Sequence, residues 1–159
     1  MFLDKSFPTI IYRHRKENLK KCSLKGLEKR KDLIFLTYPK DILPDLSSYI
    51  CLKVGGKKLS VEDRDKGLFL IDATWNYTNI ITTQVEKQKK LIYRSLPSFY
   101  RTAYPRKQTG CLFPKQGLAS IEALFLSFFI TQRKTQGLLD NYYWKETFLS
   151  INHIPLYLA

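Results

Sequence analysis

An α/β fold is what this sequence predicts, and three observations predict it. Short apolar runs such as Pro8-Thr-Ile-Ile-Tyr12 and Leu33-Ile-Phe-Leu-Thr37 have the length and β-branched content of strands. Longer stretches, 76–90 and 117–130, have helical composition. A third apolar run, Leu68-Phe-Leu-Ile-Asp72-Ala73-Thr74-Trp75, brings an acid, a hydroxyl and an indole to its C-terminal end, the end of a parallel α/β strand at which ligands sit. With 159 residues, 44% of them hydrophobic, and only seven prolines and seven glycines, the chain is an ordered globule. That length gives one domain or two small lobes sharing a core.

In chain order, Pro8–Tyr12 reads as a first strand, followed by a basic loop and helical segment from Arg13 to Arg30 that contains Lys20-Lys21-Cys22-Ser23. Leu33–Thr37 is a second strand stopped by Tyr38-Pro39, and Ser48–Val54 a third, with Gly55-Gly56 as a turn. Together they suggest a small β-rich lobe over residues 1–66. Ser60-Val61-Glu62-Asp63 has capping-box spacing with Ser60 as the cap, and the short helix it opens feeds Gly67 and the strand carrying Asp72. The plain structural alternative to a ligand site at this strand end is that Asp72 or Thr74 caps the next helix, through Asn76-Tyr77-Thr78-Asn79, and Trp75 fills the core beneath it. Residues 76–90 are helical and end in a basic stretch, and Leu96 to Lys107 is irregular or extended. Gly117–Ala123 has the composition of a loop turning into a helix that runs to Ile130; continuous apolarity leaves a strand open for Leu124–Ile130. A last helix is expected from Gly137 to Phe148, with Leu138, Leu139, Tyr142 and Tyr143 on its apolar surface.

Lysine and arginine number 27 against 14 acidic residues, a formal charge of +13. That balance favours an anionic partner, nucleic acid first and an acidic membrane surface second. Residues 1–30 hold nine basic and three acidic side chains, and residues 84–109 hold seven and one, which makes these the candidate contact regions. Cys22, Cys51 and Cys111 are odd in number and widely spaced, without metal-site or disulfide-framework spacing, so a reducing compartment is expected. His14 and His153 belong to no Cys/His cluster, and no metal is expected. The opening residues lack a signal-peptide core, and Ala123–Ile130 is too short to span a bilayer; a cytoplasmic protein is expected. The chain has neither a Gly-x-Gly-x-x-Gly nor a Gly-x-x-x-x-Gly-Lys-Ser motif, which disfavours dinucleotide and nucleoside-triphosphate sites.

Five short motifs occur in one order: Lys20-Lys21-Cys22-Ser23, Leu59-Ser60-Val61-Glu62-Asp63, Leu70-Ile71-Asp72-Ala73-Thr74-Trp75, Arg94-Ser95-Leu96-Pro97 and Leu118-Ala119-Ser120-Ile121-Glu122-Ala123. That order resembles the archaeal and eukaryotic enzymes that attach a 3-amino-3-carboxypropyl group to small-subunit ribosomal RNA during ribosome biogenesis. The resemblance continues through Tyr143-Trp144, Phe148 and Asn152, so it covers about residues 10–155. Asp72-Ala73-Thr74-Trp75 and Tyr104-Pro105-Arg106-Lys107 are more similar to the related Asp-Thr-Trp domain enzymes that modify a uridine of transfer RNA. The resemblance implies a knotted RNA-methyltransferase-like domain, SPOUT-like with a trefoil knot, over residues 67–159 after the small β-rich N-terminal lobe.

S-adenosylmethionine is the cofactor the resemblance implies, and structured RNA the partner, with neither DNA nor membrane. Residue by residue it places Ser23, Ser60, Trp75, Leu96, Ala103, Leu118, Glu122 and Ala123 around the cofactor. Ser60 as a plain cap and Leu96, Leu118 and Ala123 as plain core are the structural alternatives. Ala119 departs from the serine common to both families. Asp72 is the candidate catalytic residue: it accepts a proton from a ring nitrogen of the base, orients the base, or holds the ammonium of the methionine arm. Lys20, Lys21, Arg94, Arg106 and Lys107 are candidates for phosphate contact and Tyr104 for base stacking, with Lys87, Lys89 and Lys90 extending the basic track. Attack at the methyl carbon instead would make the chain an RNA methyltransferase. Loss of chemistry would leave an RNA-binding ribosome biogenesis factor.

Overall fold

The computed structural model describes residues 7–15, 23–105 and 117–159. Five strands, β1 (Thr9–His14), β2 (Leu33–Tyr38), β3 (Tyr49–Leu52), β4 (Gly67–Asp72) and β5 (Ile92–Arg94), form one sheet in the order β2-β1-β4-β3-β5. All four pairings are parallel. Strand β1 is buried at all six positions because it lies between β2 and β4 with both faces covered. Alternate side chains divide between two cores: Ile11, Leu68 and Leu70 on one face and Ile10, Tyr12 and Phe69 on the other.

Helix α1 (Trp75–Glu86) covers the second face through Ile81 and Val85. Helix α2 (Ser120–Ile130) covers the first, burying Ile121, Leu124, Phe125, Leu126 and Phe128, and α3 (Lys145–Ile151) adds Phe148 and Leu149. The apolar run 124–130 is thus helical: it is wrapped by core on most sides and its amides are satisfied within the helix. Gly67 opens β4 because the Tyr49 ring lies where a Cβ would stand, 2.3 Å from its ideal position.

The α/β class holds, but the two-lobe, knotted architecture is corrected. Strands from both sides of the 66/67 boundary pair directly, β3 on β4 and β1 on β4, so residues 1–66 make no separate β-rich lobe. The described residues form a single open parallel sheet, and no trefoil knot is described among them. Each short run has a clear strand signal, but local pattern does not say that its partner lies far along the chain. The last helix is corrected too. Gly137 adopts φ +85°, Leu138 and Leu139 are buried in turns, and the helix starts only at Lys145. The short edge strand β5 falls between the expected 76–90 helix and the irregular 96–107 segment.

Candidate functional site

Strand order locates a crevice. From β1 the chain crosses to β2 on one side; from β4, through α1, it passes to β5 on the other. The carboxyl ends of the adjacent strands β1 and β4 are therefore a topological switch point, the place where open α/β sheets bind ligands. Arg13 and Asp72 are register partners at those ends and share a face of the sheet.

Asp72 is buried, at 5% exposure. Its Oδ2 accepts from Arg13 Nε at 3.3 Å and its Oδ1 from Ser120 Oγ at 2.6 Å. Ser120 is the first residue of α2, so the acid ties the end of β4 to the start of that helix. Thr74 occupies the N-cap position of α1 without a side-chain cap hydrogen bond, so the cap expected of its hydroxyl is not made.

Helix α2 begins without a side-chain acceptor at its N-cap, Ala119. Ser23 Oγ accepts from Ile121 N at 3.2 Å in its place, which brings the Ser23 loop to the same crevice. Glu122, fully buried, closes the other side. Its Oε1 accepts from Thr102 Oγ1 at 2.6 Å and Ala119 N at 2.7 Å; its Oε2 accepts from Ala103 N at 2.8 Å and the Tyr142 hydroxyl at 3.0 Å. Four donors satisfy a charge that burial alone would make costly. Loop 102–103 is thereby fastened to the N-terminus of α2, and Tyr104 stacks with Tyr142 at 6.5 Å between ring centroids and 12° between planes. Leu96, Ala103, Tyr104 and Leu118 are half-buried and pack on the core beside it.

The structure thus gathers Asp72, Ser23, Ala103, Tyr104, Leu118 and Glu122, with Ala123 next along the helix. Ser60 and Arg94 converge instead on a second carboxylate, Asp63. Ser60 is the cap of the short 3-10 helix Val61–Asp65, with the capping box the spacing predicted. Arg94 Nε lies 3.2 Å from both Asp63 oxygens, and Lys66 Nζ 3.3 Å from one. Burial pushes the Asp63 carboxyl up, but the Ser60 amide, Lys66 and Arg94 together hold it below the usual carboxylate value. Arg94 has a side chain only 12% exposed and is committed to that ion pair. Trp75 opens α1, and the expectation for its indole lies outside the described part of the structure, as do Lys20, Lys21, Arg106 and Lys107.

Two residues of the site were missed. Ser120 stood inside a quoted motif but beside the departure at Ala119; Arg13 stood at the end of a strand and was read into the basic loop. A charge closing an apolar strand is the signal that could have found it. Among the described residues no group of three or more His, Cys, Asp or Glu gathers to hold a metal ion, and no helix is long and apolar enough to cross a membrane. Cys51 is buried, which pushes its thiol up to about 12 and leaves it unreactive at neutral pH.

No protein-family model matches the chain, and a search of curated proteins finds no match. Among solved structures, the fold is similar to that of the SAM-dependent rRNA:acp-transferase Tsr3 from Vulcanisaeta distributa. The TM-score is 0.68 at 23% sequence identity, over 96% of this chain and 81% of that one. At the level of fold, this agrees with the resemblance carried by the five ordered motifs.

Proposed function

We propose that the chain is an S-adenosylmethionine-dependent transferase that places a 3-amino-3-carboxypropyl group on a uridine-like base of ribosomal RNA, and that it works in the cytoplasm. The observation that carries this reading is the buried Asp72, held between Arg13 and Ser120 at the switch point, in a fold shared with an rRNA:acp-transferase. The residues beside it suit a nucleoside cofactor. Leu96, Ala103 and Leu118 offer apolar contact, and the 102–103 backbone beside them is fixed by Glu122.

When bound, S-adenosylmethionine supplies an electrophilic γ-carbon beside its sulfonium. Asp72 would orient the attacking ring nitrogen or take its proton. Tyr104, backed by Tyr142, would stack on a base drawn out of its helix. Lys87 and Lys90, exposed at the end of α1, would hold phosphates.

The test incubates the protein with cellular RNA and S-adenosylmethionine labelled separately in the methyl group and in the carboxyl carbon. Label reaching RNA only from the carboxyl carbon is the expected result, with Asp72→Asn sharply slower. Methyl label alone would make the chain a methyltransferase. No transfer and no cofactor binding by equilibrium dialysis would leave an RNA-binding factor.

A further inference from the structure

We propose that Arg13 is the positioning residue for Asp72, an inference that rests on the transferase reading of this site. Register sets the pair side by side on β1 and β4. The guanidinium is then gripped on three sides: Nε lies 3.3 Å from Asp72 Oδ2, Nη1 lies 3.6 Å from Glu28 Oε1, and the guanidinium carbon sits 4.6 Å over the Phe35 ring. Glu28 is itself fixed, because its Oε2 accepts from Gly26 N at 2.8 Å.

The consequence is geometric. A carboxylate held at one oxygen can still swing about its Cβ–Cγ bond, whereas Asp72 is held at Oδ2 by Arg13 and at Oδ1 by Ser120. Ser120 moves with α2, and α2 carries Glu122, which fastens loop 102–103. Arg13 therefore sets the distance and angle between the acid and the loop that walls the site. A misplacement of about 1 Å costs on the order of a hundredfold in rate when a reacting group must meet its partner. Lysine carries the charge but not the planar fork, nor the flat face that rests on Phe35.

The test uses the full chain with RNA and S-adenosylmethionine. In Arg13→Gln, kcat for transfer falls about a hundredfold while KM for either substrate stays within about threefold. Arg13→Lys recovers part of kcat but not all of it. A folded Arg13→Gln protein with unchanged kcat, or with its loss confined to KM, would overturn the proposal. A second measurement needs no turnover: the Arg13 Nε–H signal in NMR exchanges slowly with solvent in the wild type and about tenfold or more faster in Asp72→Ala. Unchanged exchange would overturn the pairing. If Arg13→Gln does not fold, Arg13→Lys and this exchange measurement decide. If the wild type transfers nothing, the function reading fails by itself, and the exchange measurement still says whether Arg13 holds Asp72.

Discussion

Ser23 does for helix α2 what residue 119 cannot. A serine at an N-cap accepts from the second or third helical amide; Ala119 has no acceptor, and Ser23, 98 residues earlier than Ile121, takes that amide instead. Replacing Ser23 by alanine should cost about 1 kcal/mol. Adding Ala119→Ser to that variant should recover most of the loss, because residue 119 has the extended backbone of a cap, φ −68° and ψ 156°. Thermal denaturation of the single and double variants measures both. The motif that contains Ser23 brought it to the site from sequence, yet what it touches depends on a contact across the whole chain. Arg13 was harder to read for the same reason. Its partner lies 59 residues away on a neighbouring strand, and no local pattern records that register.

At the scale of elements, signals that act within a few residues were legible. The capping box at Ser60 formed as spaced, and β1, β2 and β3 lie within two residues of their apolar runs. Signals that depend on tertiary partners were not. Gly137 to Tyr142 has helical apolar spacing, but the chain there buries Leu138, Leu139 and Tyr142 through turns. The box at Ser60 also has an acid dependence. The Asp63 carboxyl, raised by burial but lowered more by the Ser60 amide, Lys66 and Arg94, titrates below its ordinary value of 3.8 in the folded protein. Its stabilising contribution is therefore fully present above the unfolded value and is lost as pH falls through the lower folded value. Wild type should melt well above Asp63→Asn at neutral pH. The gap should narrow only below pH 3.8, as denaturation curves across pH would show.

For the whole molecule, the charge of +13 is large enough to act at a distance. RNA binding should weaken steeply as salt rises, by about a factor of a thousand between 50 and 200 mM if six or more phosphates are held. A binding series across salt measures the slope, and a flat response would rule out phosphate contact. Composition by itself favours an anionic partner. Composition was silent on the arrangement of the sheet, because parallel pairing is decided by crossovers and not by residue counts.

The position of β1 bears on how the chain is made. It precedes the other four strands of the described sheet along the chain but lies inside that sheet, between β2 and β4. One edge of β1 stays without its β4 partner until residues 67–72 emerge, and Asp72 then waits for Ser120. A chain made only as far as β5 thus carries the strands of the sheet but lacks Ser120, so Asp72 is without one of its two anchors until α2 follows. The arrangement around Asp72 is therefore completed only after the sheet that carries it.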